Sequence, residues 1–423
     1  MTGEAPKAER KTRGRQAGRG ARVGNTHLIV DELRSFGPLS QAMLARQTGL
    51  SPASVNNIIH ALRKDNVVSV EAINGREALV RLATTKGAVG SVNVGPEVMI
   101  GALVSFDLER RFDVVLRPPA GQAGTSPEMV LELLETLTRQ AGIKVADLAG
   151  VAIALQAPIE RSSGAVTSWA ASRLPSWRDM SLQRHFAEEL GVLVIVDNDA
   201  NLAALAEWSW GSGRGSEDFL YVICSEQIGG GLIINGKIYH GGTGLAGEIG
   251  HVVLTETGPL CFCGSRGCLS AYASERAILS KLQVSESAKT SLKDVIASAR
   301  SGDVACQLVL HEAGRSLGQA LANAARLIAP SVISIGGELG EAGAFVYDGL
   351  RSVFDAPNMK AITASIRICV GEMPGDATLL GGVAAVLASL NKGLSAWPGW
   401  MAVAQTEARV VSDRRRPSPG ATA

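Results

Sequence analysis

Three closely spaced cysteines and a histidine upstream carry the most specific chemical signal in the chain. They form the pattern His251-x9-Cys261-x-Cys263-x4-Cys268. Thiolates and an imidazole are ligands that tetrahedral Zn²⁺ prefers, and a closed set of four ligands is typical of a structural site. The sequence therefore predicts a structural zinc ion on His251, Cys261, Cys263 and Cys268, with reduced, unliganded cysteines as the alternative.

Three further stretches indicate a ligand-binding cleft. The polar run Asp197-Asn198-Asp199-Ala200-Asn201 directly follows the apolar run Val192–Val196. Polar groups at the carboxyl end of a parallel strand are well placed to bind a ligand. Gly229-Gly230-Gly231 and Gly247-Glu248-Ile249-Gly250-His251 follow later in the chain. Each of these stretches alone is also compatible with ordinary turns, because a single glycine cluster is weak evidence for a site.

The N-terminal part of the chain has the signals of a DNA-reading module. Ser40 and Ser51-Pro52 are helix starts, and the β-rich runs Val67–Ile73 and Ala78–Leu82 meet at Asn74-Gly75, which predicts a hairpin with a type I′ turn. This order predicts a winged helix-turn-helix, with a helical protein-contact domain as the alternative. The small and polar residues that we expect to contact DNA are Ser40, Gln41, Ser51, Ala53, Ser54, Asn56, Asn57, His60, Lys64 and Arg76.

Strand and helix patterns alternate along the chain from residue 92 to 395, which predicts α/β architecture for the part that carries the cleft and cysteine motifs. Ser91–Phe106 and Phe219–Ile234 open two similar halves, so we expect two lobes with a cleft between them. The predicted organisation is a disordered basic arm at 1–24, a winged helix-turn-helix domain at 25–82, a linker at 83–91, the two-lobed domain at 92–395 and an irregular tail at 396–423.

Charge and hydropathy place limits on the partners of this chain. It has 423 residues and a net charge of +1. Residues 1–24 contain seven basic and two acidic side chains, so the arm is basic and the rest of the chain is slightly acidic. A basic arm beside a winged helix suits DNA phosphates. No apolar run approaches the roughly 20 residues of a membrane span, so we expect a cytoplasmic protein without a membrane partner.

Taken in this order, the motifs resemble the ROK family of repressors, open reading frames and sugar kinases. The most specific match runs from Ala246 through His251 and continues in Cys261–Leu269, and the second is Asn198-Asp199-Ala200-Asn201. The resemblance implies an actin-like, two-lobed ATPase fold. The run from Pro38 to Ser51 resembles the helix-turn-helix of the family's transcriptional repressors, a domain that its sugar kinases usually lack.

The resemblance also implies that both phosphate loops have changed. The first phosphate loop of the family's kinases has Asp, an aliphatic residue and Gly-Gly-Thr, where this chain has Asn93-Val94-Gly95-Pro96-Glu97. Their second loop has Gly-Thr-Gly, where this chain has Ser225-Glu226-Gln227. Pro96 lacks the backbone N–H that would donate a hydrogen bond to a phosphate. The added carboxylates of Glu97 and Glu226 would repel a phosphate. We therefore expect that ATP binding is lost.

The sugar half of the site is better kept. The resemblance implies sugar contacts from Asn198, Asp199, Glu248 and His251, with Asp199 at the position of the kinases' general base. Two positions depart from the family pattern: Arg173 replaces an Asn, and Ser270 replaces a Glu. By charge alone, Arg173 favours a phosphorylated or acidic sugar.

These observations predict a DNA-binding transcriptional regulator, usually a repressor, that responds to a sugar or sugar phosphate and has lost kinase activity. Two alternatives stay open: an active ATP-dependent sugar kinase with an appended DNA-binding domain, and a regulator that no longer senses a sugar. Because helix-turn-helix units read paired half-sites, we expect a homodimer or a dimer of dimers on a double-stranded operator.

Overall fold

The computed structural model describes residues 25–26, 28–30, 32–33, 38–64, 68–72, 78–82, 88–106, 110–282, 290–373 and 375–390. The predicted basic arm, the wing tip with Arg76 and the tail at 396–423 lie outside the described residues. Three sheets organise the described chain, one of three strands and two of five strands. The mixed α/β prediction is confirmed.

The N-terminal domain is a winged helix-turn-helix. The described residues between 25 and 33 are helical and form α1. The following elements are β1 (Leu39–Ser40), α2 (Gln41–Thr48), α3 (Pro52–Lys64), β2 (Val68–Ala72) and β3 (Ala78–Leu82). Ser40 accepts a hydrogen bond from the Met43 N–H at the start of α2, and Ser51 accepts one from the Ser54 N–H in the first turn of α3. Both predicted helix starts are thus confirmed.

β2 and β3 form the antiparallel hairpin of the wing, as the sequence predicted, and Ala72 pairs with Ala78. The buried Val80 lies opposite Val70, so this pairing places the apolar side chains of both strands on the core face. The predicted type I′ turn at Asn74-Gly75 lies outside the described residues.

The first lobe is built on a sheet with the order β6-β5-β4-β7-β8. Its strands are β4 (Ala88–Val94), β5 (Met99–Ser105), β6 (Arg111–Leu116), β7 (Gly150–Leu155) and β8 (Val194–Asn198). Two helices, α4 (Glu128–Ala141) and α5 (Leu182–Leu190), contribute to its apolar core.

The second lobe repeats this topology with the order β11-β10-β9-β12-β13. Its strands are β9 (Phe219–Cys224), β10 (Ile228–Ile234), β11 (Lys237–Ile238), β12 (Val332–Gly336) and β13 (Arg367–Val370). Its helices are α7 (Ser270–Ala273), α8 (Glu275–Leu282), α9 (Leu292–Arg300), α10 (Val304–Ile328), α11 (Gly337–Gly340), α12 (Ala344–Phe354) and α13 (Pro357–Thr363).

Two helices pack between the lobes and place the site. α6 (Asp199–Trp210) lies against β9 and β10 of the second sheet, while α14 (Ala377–Ser389) lies against β4 and β7 of the first. The two helices also contact each other, with Gly381 against the backbone of Leu202, where a larger side chain would collide. The N-terminus of α6 therefore lies at the boundary between the lobes.

The first sheet begins earlier than the sequence indicated. β4 starts at Ala88, inside the segment 83–91 that has the composition of a linker. Its small residues are packing requirements, since a Cβ on Gly90 would lie 3.0 Å from Leu134 Cδ2, and Ser91 is fully buried. The first strand of the sheet therefore begins four residues before residue 92, where the sequence indicated the start of the two-lobed domain. Within the described part of the chain, no helix is both long and apolar enough to cross a membrane.

Candidate functional site

A cavity of about 420 Å³ lies between the two lobes. This volume falls within the usual range of small-molecule sites, about 300–1,000 Å³. Residues from both lobes line it, and the predicted sugar contacts Asn198, Asp199, Glu248, His251 and Arg173 are all among them. The cavity is also lined by aromatic and charged side chains, namely Trp169, Glu226, Phe262, Lys293 and Glu338.

Asn198 acts mainly as a structural cap. Its Oδ1 accepts hydrogen bonds from the Ala200 and Asn201 N–H groups at the start of α6, at 2.9 and 3.3 Å. Its Nδ2 donates to the Ala157 carbonyl at 3.3 Å, and Asp197 is held by His240 at 2.7 Å. Much of this polar run therefore fixes the strand–helix junction, and it presents the next residue, Asp199, to the cavity.

Asp199 and Glu248 form an acidic pair in the cavity wall. Burial raises the pKa of Asp199 to about 6, although nearby Arg173 opposes this effect. Burial and the Asp199 charge raise the pKa of Glu248 to about 7. Two carboxyl groups that titrate near neutral pH are unusual outside functional sites. The pair is well suited to accept hydrogen bonds from the hydroxyl groups of a polar ligand.

The His251, Cys261, Cys263 and Cys268 ligand atoms all lie within 4.8 Å of one another. His251 Nδ1 is 3.6 Å from Cys261 Sγ, and Cys263 Sγ is 3.8 Å from Cys268 Sγ. Tetrahedral Zn²⁺, with bonds of about 2.3 Å to sulfur and about 2.05 Å to nitrogen, separates its ligands by about 3.6 Å (N to S) and about 3.8 Å (S to S). The four side chains therefore fit a tetrahedral metal ion.

An aromatic wall adjoins the loop that carries the candidate metal ligands, and the sequence analysis did not identify it. Trp169 lies edge-on to His251 with ring centroids 4.9 Å apart, and Phe262 lies edge-on to the same ring at 5.0 Å. Phe262 stands between the ligands Cys261 and Cys263, a position that could have identified it in the sequence. Because His251 presents Nδ1 to the thiols, its Nε2 remains on the other side of the ring, and His251 also lines the cavity.

An ion pair joins the two lobes across the cavity. Arg173 of the first lobe donates from Nη2 to Glu226 Oε1 of the β9–β10 turn at 2.7 Å. The guanidinium also lies over the Phe262 ring, 5.6 Å from its centroid. The sequence indicated these charges as two separate departures from the family pattern. The structure brings them together.

The two altered phosphate loops differ in where their charges lie. Glu226 lines the cavity, whereas Glu97 is exposed and is not among the lining residues. The Gly95 N–H is used within its own turn, where it donates to the Val98 carbonyl at 2.9 Å. At this tight turn the Glu97 side chain therefore points to solvent and not into the cavity.

Ser270, which the family pattern placed among the sugar-site positions, does not line the cavity. It is buried at the start of α7, is absent from the cavity lining, and its Oγ lies beside Gly250. A serine side chain is too short to extend beyond this packed position.

The Gly-rich stretch in β10 is required for packing. Gly231 lies directly against Ala204 and the Ala200 carbonyl of α6.

The exposed face of α3 is a candidate nucleic-acid interface. Val55, Ile58, Ile59 and Leu62 are buried and form the apolar stripe of the helix. The opposite face exposes small, amide and basic side chains, as predicted. They are Ala53, Asn56, Asn57, His60 and Lys64. Ser40 and Gln41 at the start of α2 are half-buried, and Ser51 and Ser54 hydrogen-bond to each other at the start of α3.

Comparisons with known proteins agree with this architecture. The chain is 26% identical over 362 residues to the xylose repressor of Bacillus subtilis (strain 168), covering 84% of this chain and 93% of that protein. It is 34% identical over 251 residues to a glucokinase of Halalkalibacterium halodurans, covering 56% of this chain and 75% of that protein.

A solved structure described as a ROK family transcriptional regulator, a homolog of the E. coli MLC protein, matches with a TM-score of 0.69. The match covers 88% of this chain and 98% of that chain at 22% identity, which shows the shared fold. The ROK family model matches residues 89–389. This chain belongs to the ROK family.

Proposed function

We propose that this protein is a DNA-binding transcriptional regulator, most simply a repressor, whose ROK domain senses a sugar. The observation that carries the proposal is the exposed polar face of α3 in a winged helix that precedes the two-lobed domain. The coverage of the relatives supports it. The xylose repressor aligns with 84% of this chain, whereas the glucokinase aligns with 56%.

The cavity supports the sensing role. Asp199, Glu248 and His251 converge on it and offer the hydrogen-bonding groups that a sugar's hydroxyls need. Glu226 belongs to the turn that matches the second phosphate loop of the family's kinases, and it pairs there with Arg173 at 2.7 Å. Phosphoryl transfer depends on positioning and on neutralising phosphate charge, and the carboxylate opposes the second requirement. Asp199 therefore serves as an acceptor for a sugar hydroxyl, and kinase activity is lost.

Structural zinc completes the proposed site. His251, Cys261, Cys263 and Cys268 would hold it, and Zn²⁺ would ionise the thiols and brace the loop. Burial raises the pKa of Cys268 to about 12, so this thiol stays protonated unless a cation is bound. The braced loop carries His251 and Phe262 to the cavity. Metal binding and sugar binding therefore share one structural element.

A homodimer or dimer of dimers in the cytoplasm would present two copies of α3 to adjacent major grooves. Sugar binding between the lobes would close them and change the spacing of the two DNA-binding domains. The basic arm would add affinity through phosphate contacts. We propose domain boundaries near residues 25, 82 and 88, with the tail outside the folded core.

Gel retardation with the DNA upstream of the protein's own gene tests the proposal. The full chain should retard this DNA at low salt, with an affinity that falls steeply as salt increases. Asn56→Ala and Asn57→Ala should each weaken binding about 5- to 100-fold if the amide reads a base. Asn323→Ala, an exposed asparagine on α10, is the matched control and should bind like the parent protein. Absence of retardation at low salt refutes the proposal.

A sugar kinase with an appended DNA-binding domain is the second candidate. It is favoured by Asp199, at the position of the general base, and by the 34% identity to a glucokinase. A coupled ADP-release assay over common hexoses decides between the two. We expect no sugar-dependent ADP release from the parent protein. Turnover that disappears in Asp199→Asn would establish the kinase instead.

A further inference from the structure

The ion pair of Arg173 and Glu226 gives a reason to narrow the class of sugar. Arg173 lies within the electrostatic reach of Asp199, at the sugar end of the cavity. A cation at this place would normally attract the phosphate or carboxylate of an acidic sugar. Glu226 already pairs with it at 2.7 Å. The Arg173 side chain is 18% exposed, so little of the guanidinium is open to a second anion.

The position of Arg173 is fixed on a second side. Its guanidinium lies over the Phe262 ring, and Phe262 belongs to the loop between two predicted metal ligands. A cation held between a carboxylate and an aromatic face has two interactions to lose when it moves. Arg173 is therefore a poor candidate for turning away from Glu226 toward an anionic ligand.

The other charges of the cavity also disfavour an anion. Among the lining residues that the structure describes, the second cation is Lys293, which pairs with Glu338 at 3.5 Å. Asp199 and Glu248 remain as carboxyl groups in the wall. With both cations paired and further carboxyl groups nearby, a phosphate would meet net negative charge and would lose its hydration without compensation.

The aromatic wall supplies what a neutral sugar requires. Trp169 and Phe262 lie 6.1 Å apart between ring centroids, and they line the same cavity as Asp199 and Glu248. A pyranose has an apolar C–H face and a rim of hydroxyl groups. The wall can cover the first while the carboxyl groups accept hydrogen bonds from the second.

We propose that the Arg173–Glu226 pair closes the phosphate subsite and makes the cavity selective for neutral, unphosphorylated sugars. This inference rests on the sugar-sensing part of the proposed function and does not depend on DNA binding. It also reverses the expectation from sequence, in which Arg173 alone favoured a phosphorylated or acidic sugar. Glu226 is the specificity-determining residue, because it neutralises the cation.

Isothermal titration with the full chain tests the inference. The probes are D-xylose, D-glucose, N-acetyl-D-glucosamine and the 6-phosphates of the last two. The parent protein should bind at least one neutral sugar more than about tenfold tighter than any phosphorylated probe. Glu226→Gln frees Arg173 and should strengthen binding of a 6-phosphate by a factor of about 10 to 100, the value of a charge-assisted hydrogen bond. Glu226 is 63% exposed on a turn, so the variant should fold.

Two controls separate this effect from a general change in charge. Glu226→Gln combined with Arg173→Gln should lose the gain for the 6-phosphate, because the cation is gone. Glu312→Gln removes the carboxylate of another ion pair, which Glu312 forms with Lys281 at 3.3 Å outside the cavity. This variant should bind all probes like the parent protein.

Tighter binding of a 6-phosphate than of every neutral sugar by the parent protein overturns the inference. So does a Glu226→Gln variant without the gain, or a panel in which no sugar binds. Gel retardation of the same preparations distinguishes the two proposals. DNA retardation without neutral-sugar selectivity rejects this inference and leaves DNA binding standing, whereas selectivity without retardation does the reverse.

Discussion

Replacing Asp199 with asparagine should stabilise the protein while it damages the site. Burial raises the pKa of Asp199 from its ordinary 3.8 to about 6. A carboxyl group that holds its proton more tightly in the folded state favours folding at low pH. That contribution is fully present below about pH 4 and is lost as the pH rises through about 6. Above pH 6 the folded protein therefore contains an ionised carboxylate in an unfavourable place.

The size of the effect follows from the same displacement of the pKa. Each pH unit corresponds to about 1.4 kcal/mol. Compared with a side chain that stays neutral, Asp199 then destabilises the fold by about 3 kcal/mol at pH 8 and by about 2 kcal/mol at pH 5. Asp199→Asn removes this cost and relieves Glu248 of a neighbouring charge. The advantage of the variant in the free energy of unfolding should grow by roughly 1 kcal/mol between pH 5 and pH 8.

Urea denaturation followed by tryptophan fluorescence at pH 5 and pH 8 measures this change. Asp348→Asn, an exposed carboxylate on α12, is the control and should stay within about 0.5 kcal/mol of the parent protein at both pH values. Asp199→Asn should also weaken sugar binding at least tenfold in titration. A variant whose stability relative to the parent does not increase from pH 5 to pH 8 would refute the assignment of Asp199 as a strained site carboxylate.

Three further changes test the metal site and the elements that position the cavity. Cys263→Ser should remove about one zinc per chain, measured by elemental analysis, and should lower the melting temperature by about 4–8 °C. Cys369 is also half-buried, and Cys369→Ser is the control that should keep the metal. Unchanged metal content in Cys263→Ser rejects the zinc assignment. Asn198→Ala should lower the free energy of unfolding by about 1–2 kcal/mol, because the N-terminal cap of α6 is lost. Asn198→Ser should recover part of this free energy, since serine is also a good cap. Equal losses in both variants would argue against capping. Gly231→Ala should lower it by about 1–3 kcal/mol in urea denaturation, because the new Cβ collides with α6, and a neutral result would contradict the packing described here.

Local patterns were the most predictable features. The four candidate metal ligands span 18 residues, so their spacing alone indicated one site, and the structure brings the four ligand atoms together. The buried stripe of α3 and its capped start also follow from neighbours along the chain. The repeated strand pattern predicted two lobes, and the identical strand orders of the two sheets confirm the repeat.

Features that depend on distant contacts were not predictable. Arg173 and Glu226 are 53 residues apart and come from different lobes, so the sequence could not show that their charges meet. Gly90 and Ser91 have linker composition but pack under α4 and α14. The turn that carries Glu97 is also held by a distant residue, because the Thr125 N–H donates to the Pro96 carbonyl at 3.0 Å. In each case a tertiary contact outweighed local composition.

Fluorescence anisotropy of labelled upstream DNA, titrated with the full chain and then with neutral sugars, measures DNA binding and its response to sugar in one experiment. We expect specific binding with a dissociation constant of roughly 10⁻⁸ M or below at moderate salt. We also expect that one neutral sugar shifts this constant at least about fivefold, the lower range of coupling between two sites. Specific DNA binding that no sugar alters, or no specific binding, would contradict the claim that this ROK protein is a sugar-responsive regulator.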